Sequence, residues 1–192
     1  MAGTGAEYAH SDGPLFEGIT PLAPTTLYGA CKAALHISSS AYFAERGVSS
    51  GWGHIFYLYG PRENPGRLVP SVIRAMSRGE TFTCDHPDDV RDFLHVDDVA
   101  GAFVAFLGSE VQGAVNIASG ERISVGDLVA GIATSMGRPD LILRETVSDT
   151  VSATVGDSTR LRREVGCEPL WTLEQGIDAT IEWWKPKLGD AT

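Results

Sequence analysis

Cysteine is scarce in this sequence of 192 residues. The three cysteines, Cys31, Cys84 and Cys167, are odd in number and widely separated, and none forms a CxxC pair. No cysteine lies at metal-ligand spacing from a histidine, so the sequence offers neither a disulfide framework nor a cysteine-based zinc site. We therefore expect free thiols in a reducing compartment, and no metal site.

Basic residues and long apolar runs are also few. Lysine and arginine total 15 against 25 aspartates and glutamates, which gives a formal net charge of −10. This acidic balance argues against a surface that binds nucleic acid or anionic membranes. A need for solubility alone also explains the net charge. A local basic site for an anionic ligand is still allowed. No run approaches the roughly 20 apolar residues of a membrane span, and "MAGTGAEYAH" lacks the basic start and apolar core of a signal peptide. We expect a cytoplasmic protein.

What the sequence does contain is an alternation of strand-like and helix-like segments. With 43% hydrophobic residues the chain can bury a core as one globular unit. The predicted strands are the end of "AGTGAEY", then "WGHIFYLYG", "TFTC", "AVNIAS" and "LILRE". The predicted helices are 26–46, "RLVPSVIRAMSRG" from near Pro70, 96–107, "SVGDLVAGIATSMG", "DSTRLRREVG" and "TLEQGIDATIEWWKPKL". This order predicts an α/β protein with a mostly parallel sheet.

Capping residues support three of these helices. Ser124 is a candidate N-cap for the helix that Gly137 ends, and Asp157 or Ser158 precedes the next one. Thr172 and Gln175 have the spacing of a capping box before the last helix.

Tyr28 and Lys32 form the first candidate for chemistry. Four residues apart on the predicted helix 26–46, they lie on one face, one turn apart. A phenol is a poor acid or base at neutral pH unless a neighbouring cation stabilises the phenolate, and an ammonium one turn away does so. The pair is therefore a sensible proton-transfer device. By itself it is also a common coincidence of two residues on a helix face.

The context of this pair resembles a known family. In order along the chain come "AGTGAEY", a proline-rich loop, "PTTLYGACK", "HIFYLYGP", "RDFLHVDDVA" and "VNIASGERISVGDL". These segments are similar to the extended short-chain dehydrogenase/reductase superfamily, and more narrowly to its NAD-dependent epimerase/dehydratase family of sugar-nucleotide enzymes. The resemblance covers nearly the whole chain.

The resemblance implies a fold and a division of the chain. The fold is the C-terminal part of a Rossmann-type parallel sheet with a small α/β substrate-binding lobe. The Rossmann remainder covers about 1–62 with 91–117, and the substrate lobe about 63–90 and 118–192.

The resemblance also implies a catalytic triad. Thr4, 24 residues before Tyr28, matches the family's Ser or Thr at the end of a central strand. In the implied roles Tyr28 exchanges a proton with a sugar hydroxyl, Thr4 hydrogen-bonds the same oxygen, and Lys32 stabilises the phenolate and holds the nicotinamide ribose. Phe56 matches a position that touches the nicotinamide of NAD or NADP. The alternative for Thr4 is a strand-end hydroxyl bonded to local backbone.

Further positions match the family's contacts with the nucleotide-sugar substrate. Arg91 matches an arginine that binds the diphosphate; a salt bridge with Asp88, Asp89 or Asp92 is the alternative. Arg144 is a second phosphate-binding candidate, or a solvated strand-end arginine. The other implied substrate residues are Arg67, Leu68, Phe82 and Tyr57. His95, Asp97 and Asp98 look like a metal cluster, but a helix start explains the acids, so no metal is assigned.

Three departures from the family pattern qualify these implications. Gly5 and Ala6 follow Thr4 where the 4,6-dehydratases carry an Asp-Glu pair, and Glu7, in a continued strand, would point away from Ala6, so dehydration is not expected. Tyr57 stands where many members carry Asn, which puts that substrate contact in doubt. The chain also lacks the family's GxxGxxG turn, which holds the cofactor diphosphate at a helix N-terminus.

The missing turn leaves three explanations. On the order of 100 residues of the Rossmann sheet are absent, at about 30 residues per βαβ unit. The chain is a fragment of a longer enzyme, one half of a split enzyme, or a relative without catalysis that serves binding. We expect an NAD(P)-dependent epimerase or ketoreductase in fragment or split form, with a silent sugar-nucleotide-binding or interaction protein as the alternative. An exposed sheet edge predicts a homo-oligomer or association with a complementing chain.

Overall fold

A three-stranded parallel sheet organises the first part of the chain, in a computed structural model that describes residues 1–11, 13–145 and 150–189. Its strands are β1 (Ala2–Thr4), β2 (Gly51–Ile55) and β7 (Gly113–Ile117), in the order β1–β2–β7. The register pairs Thr4 with Ile55 and Ile55 with Ile117, so the carboxyl ends of all three strands lie at one edge. This edge is where parallel α/β sheets place their ligands.

The remaining elements follow in chain order. The helices are α1 (Leu27–Glu45), α2 (Leu68–Arg78), α3 (Val96–Gly108), α4 (Val125–Ser135) and α5 (Leu173–Gly189). The other strands are β3 (Tyr57–Tyr59), β4 (Phe82–Cys84), β5 (Val90–Arg91), β6 (Phe93–His95), β8 (Ile123–Ser124), β9 (Ile142–Arg144) and β10 (Ala153–Thr154). Short helical turns cover Gly5–Glu7, Pro139–Leu141 and Leu161–Val165. No helix within the described ranges is long and apolar enough to cross a bilayer.

The chain divides into two units. Unit 1 comprises residues 1–58, 92–121 and 153–169, and unit 2 comprises 59–91, 122–152 and 170–192. The division inferred from the family resemblance stays a prediction.

Unit 1 packs α3 against β2 and β7. Its apolar core contains Leu94, Val99, Ala102, Phe106, Val115, Ile117 and Leu161. The glycines of "GWGHI" are explained by this packing, because a Cβ on Gly51 would lie 2.4 Å from the Phe106 ring and one on Gly53 would lie 2.6 Å from the Phe103 ring. Two strand glycines therefore let two aromatic rings approach the sheet backbone.

Unit 2 is built on three helices, α2, α4 and α5, that pack on one another. In α2 the buried residues Val69, Val72, Ile73 and Met76 have the i, i+3, i+4, i+7 spacing of a single helix face. Leu128, Val129 and Ile132 of α4 and Ile177 and Ile181 of α5 are the other main apolar contributors. Two small strand pairs complete the unit, β4 with β9 parallel and β5 with β8 antiparallel.

The predicted elements are largely confirmed, with three differences. The single predicted strand "WGHIFYLYG" is two strands, because the chain leaves β1 and β7 at Phe56 and pairs onward with β6. Helix α2 begins at Leu68 and not at Pro70, since proline fits within a first turn. The strand that ends "AGTGAEY" stops at Thr4 and turns helically, so Glu7 is buried and Ala6 is exposed.

Two of the predicted caps are also present. Ser124 Oγ accepts the Asp127 N–H at 3.0 Å, and Thr172 and Gln175 exchange hydrogen bonds of 3.1 and 3.2 Å. Asp157 accepts the Thr159 N–H at 3.0 Å, but the helical segment Leu161–Val165 has Arg160 at its N-cap position and no side-chain cap bond.

Candidate active site

Thr4 ends β1 at the carboxyl edge of the sheet. Its Oγ1 accepts the Ala6 N–H at 3.3 Å, and its own N–H donates to Glu7 Oε1 at 2.8 Å. These reciprocal bonds cap the turn Gly5–Glu7 and hold the Thr4 backbone in place. The local backbone bond that the sequence offered as an alternative role for Thr4 is therefore present.

The first turn of α1 lies against the turn that follows Thr4. Thr26 caps the helix by accepting the Gly29 N–H at 3.1 Å. A Cβ on Gly29 would lie only 2.4 Å from the Ala6 carbonyl oxygen, so glycine is what permits this approach. Tyr28, the neighbour of Gly29, is thereby brought to the end of β1, and 58% of it is exposed. Its phenol is accessible to a ligand.

Lys32 reaches the outer side of β1. Its ammonium donates to the Ala2 carbonyl oxygen at 3.0 Å. Successive carbonyls of a strand point to opposite sides, and the Met1 carbonyl accepts the Gly53 N–H from β2, so the Ala2 carbonyl points away from β2. In the described part of the chain β2 is the only strand that pairs with β1. Lys32 therefore covers a free sheet edge with charge.

Phe56 and Tyr57 follow the end of β2. The Phe56 ring is buried and lies 3.2 Å from where a Cβ on Gly5 would stand, beside Thr4. Tyr57 meets Phe93 edge-on, with ring centroids 5.9 Å apart. The structure thus gathers Thr4, the Tyr28 turn and Phe56 at the carboxyl ends of β1 and β2, while the Lys32 ammonium is bonded to Ala2 at the start of β1.

A buried carboxylate, Asp92, fixes the loop after β7 in the same unit. It accepts four hydrogen bonds: from Ser119 N–H and Oγ, both 2.7 Å, from Gly120 N–H at 2.9 Å and from Gly156 N–H at 3.2 Å. Burial raises the pKa of Asp92 although these bonds act to lower it. From the sequence, Asp92 was predicted only as a possible salt-bridge partner of Arg91.

Three further polar residues of unit 1 come together without any signal in the sequence. Glu7, His36 and His54 are far apart along the chain, yet their ligand-type atoms all lie within 4.8 Å of one another. No spacing rule links positions in a turn, a helix and a strand.

The arginine candidates belong to unit 2. Arg91 donates to Asp89 at 2.6 Å and to the carbonyl and hydroxyl oxygens of Ser152, both at 2.8 Å. The salt bridge with Asp89 that the sequence offered as an alternative is thus present. Arg144 donates to the Gly126 carbonyl at 3.0 Å and lies 3.5 Å from Asp127 Oδ1.

The other substrate candidates of unit 2 lie on two elements. Arg67 is the exposed N-cap position of α2, and Leu68 is its first residue. Phe82 begins β4, whose last residue Cys84 pairs with Arg144. None of these assignments is tested by the geometry, and they stay predictions.

His95 and its acidic neighbours form a helix start. His95 is the N-cap of α3 and accepts the Asp97 N–H through Nδ1 at 3.4 Å, while Asp97 and Asp98 lie in the first turn. This arrangement agrees with the explanation by helix capping.

Comparison with known proteins identifies relatives across most of the chain. A family model described as "NAD dependent epimerase/dehydratase family" matches residues 1–118. The dTDP-glucose 4,6-dehydratase of Streptomyces griseus is 30% identical over 170 residues, which cover 85% of this chain and 51% of that protein.

Solved structures share the fold. The UDP-glucose 4-epimerase of Thermotoga maritima with UDP-glucose matches with a TM-score of 0.88 at 24% identity, over 97% of this chain and 63% of that one. MoeE5 in complex with UDP-glucuronic acid and NAD matches with a TM-score of 0.82 at 29% identity, over 97% and 64%. These matches confirm the predicted α/β Rossmann-type fold. The chain spans about half the length of the curated relatives and under two thirds of these structures.

Proposed function

Since the chain belongs to the NAD-dependent epimerase/dehydratase family, we propose that it is the C-terminal portion of an NAD(P)-dependent sugar-nucleotide epimerase or ketoreductase. One observation carries the proposal: the contact of Gly29 with the Ala6 carbonyl brings the Tyr28 turn to the strand end that carries Thr4. That is the placement a Thr–Tyr–Lys site requires, and it arises within one folding unit.

The side chains divide the work of a proton transfer. Tyr28 takes the proton of a sugar hydroxyl, or returns it, as hydride leaves or reaches the same carbon. Thr4 Oγ1 hydrogen-bonds that oxygen, and the Lys32 ammonium, one helical turn from Tyr28, stabilises the phenolate. A bound nicotinamide supplies the hydride acceptor or donor.

The described residues fit the nicotinamide end of such a cofactor. An exposed phenol and the Phe56 ring lie at the ligand-binding edge of the sheet, and a lysine on a flexible stem is bonded to the same strand, at Ala2. The sequence contains no GxxGxxG turn for the diphosphate of NAD or NADP. We infer that a complementing chain, or further sequence, supplies that part.

The substrate side of the proposal rests on unit 2. MoeE5 and the epimerase of Thermotoga maritima were solved with UDP-sugars. We propose that a nucleotide sugar is the substrate here also, with Arg91 and Arg144 at its diphosphate. Arg67, Leu68 and Phe82 contact the nucleotide, and Tyr57 the sugar. Each arginine would exchange a local acidic partner for phosphate oxygens.

A silent sugar-nucleotide-binding or interaction protein is the second candidate. The observation that favours it is that this sequence contains no GxxGxxG turn. Without a diphosphate loop, the site has no means of its own to hold a nicotinamide cofactor.

A cofactor titration and a turnover assay separate these candidates. NAD(H) and NADP(H) are titrated into the purified chain, where negligible binding is expected. The chain is then joined behind the N-terminal Rossmann half of the Streptomyces griseus dehydratase, and hydride transfer is followed by nicotinamide absorbance with dTDP- and UDP-sugars. Turnover is expected only in the joined protein.

The variant Tyr28→Phe tests the role of the phenol in that joined protein. We expect a loss of about 10²–10⁴-fold in kcat, since a positioned acid–base group contributes that much. Tyr42→Phe, an exposed tyrosine of the same helix, is the matched control. Full activity of Tyr28→Phe would contradict the catalytic assignment, and sugar-nucleotide binding without any turnover would favour the silent protein.

A further inference from the structure

The strongest unexplained feature of unit 1 is the cluster of Glu7, His36 and His54. Glu7 lies in the turn after β1 and is fully buried; His54 lies in β2 with 1% of its side chain exposed, and His36 lies on α1 with 15% exposed. His36 Nδ1 is 3.4 Å from Glu7 Oε2, and His54 Nδ1 is 3.5 Å from Glu7 Oε1. The proposed proton transfer uses none of these three residues.

The two oxygens of Glu7 differ in their partners. Oε1 accepts the Thr4 N–H at 2.8 Å and the Trp52 Nε1–H at 3.2 Å. Oε2 is buried and accepts no hydrogen bond from the described residues, and the facing His36 Nδ1 makes none either. The two atoms face each other at 3.4 Å, so one ligand could contact both of them.

The spacing of the cluster suits a small cation. Metal–ligand bonds of about 2.0–2.2 Å in a tetrahedral site place neighbouring ligand atoms roughly 3.3–3.6 Å apart. The separations of 3.4 Å from His36 Nδ1 to Glu7 Oε2 and of 3.5 Å from His54 Nδ1 to Glu7 Oε1 lie in this range, each with a different oxygen of Glu7. One ligand-type atom from each of the three residues lies within 4.8 Å of the other two. The two ligand atoms that lie farthest apart would have to approach each other by about 1 Å, and rotation of the side chains allows this.

The surroundings shift the pKa of two members of the cluster, His36 and Glu7. Burial and the neighbouring His54 lower the pKa of His36. Burial raises the pKa of Glu7, but hydrogen bonds from His54, Thr4 and Trp52 outweigh it and hold the pKa below its usual value. The His36 ring is also fixed, since it stacks on Trp52 with centroids 4.6 Å apart and planes 3° from parallel.

We propose that Glu7, His36 and His54 bind one divalent transition-metal ion of the zinc class. Two imidazole nitrogens and a carboxylate oxygen are a ligand set that zinc accepts, with a fourth position left for water or for the Thr4 carbonyl, which lies 3.3 Å from His54 Nδ1. A His54 that binds the ion through Nδ1 would carry its proton on Nε2. No metal was expected from the sequence, because no cysteine lies at ligand spacing from a histidine and a helix start explains the acids beside His95.

The ion would join three elements at the candidate active site. It connects the turn after β1, the middle of α1 and β2, and it holds the carboxylate that also accepts the Thr4 N–H. A ligand that binds only the folded chain raises its apparent stability in proportion to the logarithm of its concentration over Kd.

Cobalt and zinc titrations of the purified chain test the site. We expect one Co²⁺ per chain with the intense visible absorption of four-coordinate cobalt, displaced by Zn²⁺, and a thermal midpoint that rises with Zn²⁺. His36→Gln and Glu7→Gln should each weaken Co²⁺ binding more than about 100-fold, beyond the loss typical of outer-shell changes. His86→Gln, an exposed histidine of unit 2, should change nothing.

The outcomes decide the proposal. No visible cobalt band in the wild-type chain at millimolar metal would overturn it and leave a proton-sharing cluster. An unchanged band in both ligand variants, with folding verified by circular dichroism, would place the ion elsewhere and overturn it too. Because His36 is the least buried ligand, its variant is the one expected to stay folded.

Discussion

Two carboxylates, one in each unit, show how differently the units treat buried charge. In unit 1, Asp92 accepts four hydrogen bonds from the loops that carry Ser119, Gly120 and Gly156. In unit 2, Glu63 has a buried Oε2 that accepts no hydrogen bond from the described residues, and burial raises its pKa to about 7. Asp92 uses its hydrogen bonds to fix backbone, whereas Glu63 lacks such bonds at Oε2 and its raised pKa favours the protonated form.

The largest expected effect is on Asp92. Asp92→Ala removes the acceptor of three backbone N–H groups, which then stay buried and unpaired, so we expect a loss of about 3–5 kcal/mol in unfolding free energy. Urea unfolding measures it, with Asp178→Ala on the exposed side of α5 as the control. A loss below about 1.5 kcal/mol would mean that the network does not hold unit 1 together.

A smaller, pH-dependent effect is expected for Glu63. Its pKa is about 7 in the folded chain against a usual 4.5, so the folded state keeps a proton that the unfolded state releases. The contribution of Glu63 to the free energy of unfolding is fully present below about pH 4.5. It falls as the pH rises toward 7 and is constant above that. The fall should be on the order of 1 kcal/mol at this half-buried site.

Unfolding from pH 5 to 8 checks this sign. Glu63→Gln should gain stability relative to wild type as pH rises, while Glu80→Gln, an exposed carboxylate of the same unit, should follow wild type. A difference between wild type and Glu63→Gln that does not change with pH would contradict the raised pKa.

The smallest expected effect on stability is at Arg144. Its bond to Asp127 spans 3.5 Å between exposed side chains, and such pairs contribute under about 1 kcal/mol. We expect Arg144→Ala to change unfolding free energy by less than about 0.5 kcal/mol yet to weaken sugar-nucleotide binding, measured by calorimetry. Arg138→Ala, with its exposed partner Asp140, is the matched control. Equal affinities for both variants would remove Arg144 from the substrate site.

The same contrast explains what the sequence could predict. Helix ends were predictable because caps act locally: Thr26, Ser124 and Thr172 all bond to backbone within three residues. The assembly around Glu7 was not predictable, since it depends on β1 stopping at Thr4 and on the register that brings β2 alongside. The break at Phe56 depends likewise on which strand each segment pairs with.

The candidate site divides in the same way. Tyr28 and Lys32 follow from helical spacing, and their approach to Thr4 required only that one small residue, Gly29, meet the turn. The partner of Arg91, Asp89, is a local acid that the sequence already offered as an alternative, whereas Asp127 beside Arg144 was not predicted. No sequence pattern predicts that Glu7 Oε2 and His36 Nδ1 face each other in the folded chain.

The bond from Lys32 to the Ala2 carbonyl has a consequence for assembly. A strand added beside β1 would need that carbonyl oxygen as an acceptor for its own N–H, and the ammonium occupies it at 3.0 Å. A carbonyl oxygen has two lone pairs, so a strand N–H and the ammonium can share it, with each bond weakened by the other. We expect a chain that completes the sheet to loosen Lys32 from Ala2, which would leave the ammonium freer to turn toward Tyr28.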